Sequence, residues 1–352
     1  MSNDIDIESI LQQTPLWHTE EQKAAVSAFL SGQTILITGG GGSFGAQLAQ
    51  ELLRFNIKKL IIIDHHEAAA FTIKKQLTAE VPQAEIAVFV ASVQNKGHIE
   101  DICLTHKPTL IFHAAAYKHV QLMEENHNEA IRNNVFGSQN IAEAAISCGA
   151  KKCILVSTDK AVDPKSIYGA TKRLSELLFL GRNQDTQKTT FTVARFGNML
   201  GSSGSVFRIF EAQIAAGKPL TITDKDAERY FIPIKTACYR ILQMSEQTTG
   251  GEIFAPKDMQ LLKITDLAEK MLTIAGKKQE IQSKIIFTTL QPGEKMTEAL
   301  FSQEEVLHIE EKHNLLIHRP KKPSNEALRT AFSTLHNQGK NIYEVLQHIT
   351  SK

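Results

Sequence analysis

A doubly wound α/β fold, with a parallel sheet covered by helices on both faces, is predicted by three observations. Short β-branched apolar runs alternate with helical segments as far as Phe196. The first run empties into a glycine-rich turn that opens a helix. The fifth run ends at Ser157 on a cluster of ionisable residues, where open α/β sheets place their chemistry.

In order, two short helices over 5–13 and 19–31 are expected ahead of the first strand, 33–40. A helix over 43–55, a strand over 60–64, a helix over 67–79 and strands over 85–92 and 109–115 follow. A single helix over 128–148 leads to the fifth strand, and a helix over 167–180 to a sixth, 189–196. Strands separated by helices pair in parallel. Beyond residue 197 the pattern loosens into shorter strands in GKPLTIT, GGEIFAP and SKIIFTT, with helices over 234–247 and 264–275. The expected organisation is an N-terminal extension (1–32), a nucleotide-binding domain (33–197), a smaller lobe (198–323) with segments returning to the first, and a helical tail (324–352).

The chain of 352 residues has 42% hydrophobic and 22% charged residues and a net charge of +1. That balance argues against nucleic-acid partners and polybasic membrane contact. Cys103, Cys148, Cys153 and Cys238 have no Cys-x-x-Cys spacing and read as buried thiols in a reducing compartment. The opening residues lack a basic segment followed by an apolar one, and no apolar run approaches the roughly 20 residues that span a bilayer. A soluble, cytoplasmic protein without membrane insertion is expected.

The turn Gly39-x-x-Gly42-Ser43-Phe44-Gly45 follows the first strand. Glycines there allow a tight turn and close approach to a pyrophosphate resting on the helix N-terminus; a merely flexible turn is the alternative. Asp64 ends the second strand, 25 positions after Gly39. A carboxylate in that place can bind the adenosine ribose and repels a 2′-phosphate, favouring NAD over NADP, unless it is simply a surface residue. His65 and His66 lack a third ligand at suitable spacing, so no metal is expected. Small residues after His113, namely Ala114 and Ala115, leave room for a cofactor or serve close helix–sheet packing. Tyr168 and Lys172, four apart, share a helix face. Thr158, Asp159 and Lys160 stand just upstream.

The blocks TGGGGSFG, HAAAYKHV, NNVFGS, VSTDKAVDPKSIYGATKR, ARFGNMLGSSGSV and PGEKMTEAL occur in this order. Together they resemble extended short-chain dehydrogenase/reductases, and within them the polysaccharide-biosynthesis branch that contains UDP-N-acetylglucosamine 4,6-dehydratases. The resemblance implies a Rossmann-type fold with a C-terminal substrate-binding lobe. It implies that Gly39, Gly42, Ser43, Phe44 and Gly45 hold the NAD pyrophosphate, Asp64 its ribose, and Ala114, Ala115, Tyr168 and Lys172 the rest. Lys118, Asn198, Arg229 and Glu294 would bind the UDP-sugar, and Asn134 would act on the inner sheet face. The opening IESILQQTPLW is similar to the segment ahead of the catalytic domain in membrane-anchored members, though no membrane domain is expected here. Ser92, Ala227-Glu228 and Gln291 depart from the usual acidic residue, Met-Thr and Arg.

By the same resemblance, Tyr168 takes the 4-hydroxyl proton, with a cationic Lys172 favouring the phenolate. Lys160 is the base at C5, Asp159 the acid at C6, and Thr158 an aid to the 4-oxygen. That chemistry asks for a neutral Lys160 and a protonated Asp159, which desolvation favours. Gly169 would let the helix approach the nicotinamide ribose. Glu124 and Glu125 would start the following helix, and the protein would be a homo-oligomer supplying surface polysaccharide or glycan. The alternatives are a UDP-N-acetylhexosamine 4-epimerase, which needs no elimination groups, and a non-catalytic NAD-binding sensor.

Overall fold

The computed structural model describes residues 10–11, 14–184, 188–277, 284–338 and 341–350. The part of the first expected helix before Ile10, and its last two residues, lie outside them. Helix α1 (Glu20–Leu30) precedes β1 (Thr34–Thr38), α2 (Ser43–Leu52), β2 (Lys59–Asp64), α3 (Glu67–Glu80) and β3 (Ile86–Val90). Then come α4 (Lys96–His106), β4 (Leu110–His113), α5 (Val120–Glu125), α6 (His127–Ala130), a π-helical stretch (Ile131–Phe136) and α7 (Gly137–Cys148). Next are β5 (Lys152–Thr158), a 3₁₀ turn (Asp159–Ala161), α8 (Ile167–Arg182), β6 (Thr190–Phe196), β7 (Asn198–Leu200) and α9 (Val206–Ala215). The lobe continues through β8 (Leu220–Ile222), β9 (Glu228–Pro233), α10 (Ile234–Gln247), β10 (Ile253–Pro256), β11 (Gln260–Lys263) and α11 (Ile264–Ile274). Last are β12 (Ile285–Phe287), α12 (Gln303–Val306), β13 (Ile309–Lys312), β14 (Leu315–His318), α13 (Asn325–Gln338) and α14 (Ile342–Thr350).

One sheet runs in the order β13-β14-β10-β6-β5-β4-β1-β2-β3. Strands β1 to β6 and β10 pair in parallel, and β14 and β13 are added antiparallel. This is the Rossmann-type order, with its reversal between β1 and β4, where ligands sit at the carboxyl ends of strands. The inner strands are buried along their length because helices cover both faces, which is why they read as unbroken apolar runs. Smaller sheets, β11-β9-β7 and β12-β8, form the second lobe.

A large core unites the sheet with its helices; a second, around Phe207, Phe210, Phe231 and Met271, fills the lobe. Ile10 and Leu11 are buried in the lobe, while Leu328, Phe332, Val345 and Ile349 join the main core. Among the described residues, no helix is long and apolar enough to cross a membrane.

The helix expected over 128–148 is instead α6, the π-helical stretch and α7. Glu124 and Glu125 end α5 rather than starting the next helix. Glu124 accepts the Ile167 backbone N–H at 2.6 Å, satisfying a donor at the start of α8 that no backbone carbonyl reaches.

Candidate active site

The first half of the site is the turn between β1 and α2. Gly39 has φ 69°, and a Cβ there would come within 2.8 Å of the Ala115 backbone. A Cβ on Gly45 would overlap the Gly39 carbonyl oxygen. Helix α2 starts at Ser43 behind Gly42 without a side-chain cap, so its positive end is available to an anion. Asp64, 7% exposed, accepts Gly41 N–H at 2.8 Å and His66 N–H at 2.9 Å, which ties the end of β2 to the turn. Phe44 rests against Phe196, and the Ser43 hydroxyl meets that of Ser203 at 2.9 Å. Gly39, Gly40, Gly41 and Gly42 spend their N–H groups on Ile63, Asp64 and Gly39, which fixes the turn, and Gly39, Gly40, Gly41 and Gly45 leave no room for side chains.

Ala114 N–H reaches the Thr38 carbonyl at 3.2 Å, and Ala115 N–H the Thr38 hydroxyl at 3.3 Å. Beneath them His113 is wholly buried between the Thr38 hydroxyl at 2.7 Å and the Ser138 hydroxyl at 2.9 Å. Burial, and then the charge of Lys172, push its pKa down to about 3, so His113 is a neutral bolt between β1, β4 and α7. Asn134 lies in the π-helical stretch. It accepts Tyr117 N–H at 2.9 Å and donates to the Tyr117 carbonyl and the Thr171 hydroxyl, each at 3.0 Å. Its amide fastens α8 to the segment that carries Lys118, which is exposed.

The second half gathers where β5 ends. The Thr158 hydroxyl donates to Asp159 Oδ1 at 2.9 Å. Lys160 Nζ donates to the same oxygen at 3.1 Å and to Asn198 Oδ1 at 3.3 Å, and lies 3.5 Å from Glu298 Oε1. Asp159 is fully buried, yet its Oδ2 has no hydrogen-bond partner among the described residues. A buried, unmatched carboxyl oxygen points to a group that pairs with something other than the fold.

Two expectations about charge are corrected. Burial works to neutralise Lys160, but Asp159 and Glu298 outweigh it even against the repulsion of Arg229. Lys160 is therefore held as an ammonium, above the ordinary lysine range. Burial also pushes the Tyr168 phenol up to about 12, and the cation that most draws it back is Lys160, not Lys172. Lys172, 2% exposed, is lowered to about 8 by burial, with Glu176 pulling the other way. The close approach of Lys160 explains Gly169: a Cβ there would overlap the Lys160 carbonyl oxygen. The glycine makes room for the Asp159–Ala161 turn in this structure.

The second lobe closes over this cluster. Arg229, 8% exposed, donates to the Glu228 carbonyl at 2.7 Å and the Met296 carbonyl at 3.0 Å. Glu294 accepts the Gln291 N–H at 3.1 Å and so shapes its own loop. Gly293, at φ 82°, lies against Ser166, and Lys295 donates to the Val162 carbonyl at 2.6 Å while standing 3.1 Å from Glu298. Asn198 thus meets Lys160 directly and Arg229 repels it through its charge, while Glu294 bonds within its own loop.

Below Ser157 is a buried charge network. Glu176 accepts from the Ser157 hydroxyl at 2.6 Å and from Arg195 at 2.8 and 2.7 Å; Arg195 also meets Glu305 at 2.7 Å. Sequence reasoning passed over Glu298, Glu176, Arg195 and Glu305. Glu176 was legible, standing four residues beyond Lys172 on the same face, and Arg195 as the charge inside an apolar strand. Glu298 stands inside the PGEKMTEAL block, four residues beyond Glu294, but nothing in that spacing points to Lys160.

The sequence matches the family described as polysaccharide biosynthesis protein over residues 35–320. It is 39% identical to the capsular polysaccharide biosynthesis protein CapD of Staphylococcus aureus, over 86% of this chain and 50% of that protein. The chain spans about half the length of the first curated relatives it matches. A UDP-N-acetylglucosamine 4,6-dehydratase (inverting) of Campylobacter jejuni is 36% identical, over 78% of this chain and 79% of that one. A UDP-glucose 4-epimerase of Rickettsia canadensis is 34% identical, over 79% and 80%. Among solved structures, Pen from Bacillus thuringiensis superposes with a TM-score of 0.76 at 29% identity, covering 88% of this chain and 99% of that one.

Proposed function

The chain belongs to the polysaccharide biosynthesis protein family, and from that premise we propose that it is a nucleotide-sugar 4,6-dehydratase. Its substrate on this reading is UDP-N-acetylglucosamine and its product a UDP-4-keto-6-deoxy-N-acetylhexosamine. The observation that carries the reading is the cluster of buried Thr158 and Asp159 with half-buried Lys160 against Tyr168, since a 4-epimerase needs Tyr168 but no elimination groups. The dehydratase among the relatives supports it, and the epimerase among them sets the rival.

Gly39, Gly42, Ser43, Phe44 and Gly45 would hold the NAD pyrophosphate on the uncapped start of α2. Asp64 would take the ribose and disfavour the 2′-phosphate of NADP, and Ala114, Ala115 and Lys172 would flank the remainder. When bound, the cofactor supplies the hydride acceptor for C4 and the hydride donor for C6. With the charge of Lys160 and that of the bound nicotinamide favouring its phenolate, Tyr168 would take the 4-hydroxyl proton while Thr158 holds that oxygen. The ketone acidifies C5; transfer of a proton from Lys160 to Asp159 across their 3.1 Å contact would leave a neutral Lys160 to take the C5 proton and a protonated Asp159 to give one to the 6-hydroxyl, which departs as water. Asn198, Arg229, Lys118 and Glu294 would bind the sugar diphosphate. The product would enter surface polysaccharide or glycan assembly from the cytoplasm. A homo-oligomer would cover apolar surface such as Ile286 and Phe287, 48% and 52% exposed.

Incubation with UDP-N-acetylglucosamine and NAD, followed by mass spectrometry and proton NMR, tests this. Loss of one water and a new C6 methyl doublet are expected. A product of unchanged mass inverted at C4 would establish the epimerase instead.

A further inference from the structure

Lys160 faces groups from every element around it. Asp159 stands beside it on the 3₁₀ turn, Asn198 comes from β7, Tyr168 from α8, Arg229 from β9, and Glu298 from the segment after the Gly293 loop. Of the two carboxylates, Asp159 is the one assigned to the elimination. Glu298 is left over. It is 4% exposed, reaches Lys160 at 3.5 Å through Oε1, and faces Lys295 at 3.1 Å through Oε2, an oxygen with no hydrogen-bond partner among the described residues. A carboxylate buried between two ammonium groups has no packing reason to be ionisable; an amide of the same shape would fill the space. Its charge is what the site retains.

We propose that Glu298 is a positioning residue that sets the protonation state of Lys160, and with it the pH at which Lys160 can act as a base. This rests on the dehydratase reading for its catalytic meaning. Lys295 tempers the effect. By sharing the Glu298 carboxylate, it limits how strongly that carboxylate holds the proton on Lys160 and keeps a removable proton there. The two variants therefore have opposite signs. Glu298→Gln removes a negative neighbour and lowers the Lys160 midpoint; Lys295→Gln frees Glu298 for Lys160 and raises it.

The test is an NMR titration of protein labelled with ¹³C at lysine Cε, with the Lys160 signal assigned by its disappearance in Lys160→Ala. It is run beside the pH–rate profile for dehydration of UDP-N-acetylglucosamine. In Glu298→Gln the Lys160 midpoint should fall by about one pH unit or more, a roughly tenfold larger unprotonated fraction at a given pH. The acidic limb of the rate profile, where activity rises as Lys160 loses its proton, should move down with it. Glu298→Asp should restore both, and Lys295→Gln should move both upward. A merely structural Glu298 would lower the rate without moving either midpoint, and coincident midpoints in wild type and Glu298→Gln overturn the proposal. If Glu298→Gln does not fold, Lys295→Gln decides: an unmoved or lowered midpoint overturns it. Midpoints that move in a protein that never releases water would leave the link between Glu298 and Lys160 standing and sink the dehydratase reading.

Discussion

Replacing Glu305 with Gln probes the buried ion pairs that hold the site's floor. Glu305 accepts from Arg195 at 2.7 and 3.1 Å and caps α12 through a reciprocal pair of hydrogen bonds with Ser302. Burial works to raise its pKa, but Arg195 and then Arg173 outweigh that and hold it at about 2, against an ordinary 4.5. A carboxyl whose folded pKa lies below its unfolded one stabilises the fold fully above the unfolded pKa. That contribution is lost as pH falls through the folded value. The gap of about 2.5 units corresponds to roughly 3 kcal/mol at pH 7. Glu305→Gln keeps the shape and removes the charge. Guanidinium unfolding at pH 7 should show a loss of about 3 kcal/mol, narrowing steadily as the pH is lowered from about 4.5 toward 2. Equal stabilities at pH 7, or a difference unchanged between pH 7 and pH 3, would refute the assignment of this network as an anchor.

Gly45→Ala should weaken NAD binding at least about tenfold, because the new methyl overlaps the Gly39 carbonyl and overpacking of this kind costs about 1–3 kcal/mol; titration calorimetry reads it, and unchanged affinity would count against the cradle. Tyr168→Phe should bind NAD normally but lose about 10²-fold or more in turnover, and wild-type rates would remove Tyr168 from the proton transfer at C4. Lys160→Ala should keep cofactor binding and abolish water loss, with full turnover dismissing it as the C5 base.

The parallel sheet was legible because its strands are buried on both faces and read as apolar runs such as LIIID and CILVS. Strands β7, β9 and β11 were not, because short or partly polar strands such as Gln260–Lys263 carry no clear period. The break before α7 escaped notice since a π-helical stretch keeps an almost helical pattern. In the site, local spacing gave away Tyr168, Lys172 and the glycine turn. The charge of Lys160 could not be read that way. It rests first on the neighbouring Asp159 and then on Glu298, which comes from far along the chain and meets Lys160 only in the fold. Lys160 rather than Lys172 is the dominant cation at Tyr168, from the turn just ahead of that residue's helix.

The central claim is that one hydride leaves C4 and returns to C6 after water is lost. UDP-N-acetylglucosamine carrying deuterium at C4 tests it in a single experiment, read by deuterium NMR of the product. The account predicts deuterium in the new C6 methyl group. Deuterium found again at C4, in a sugar that still carries its 6-hydroxyl, would contradict it.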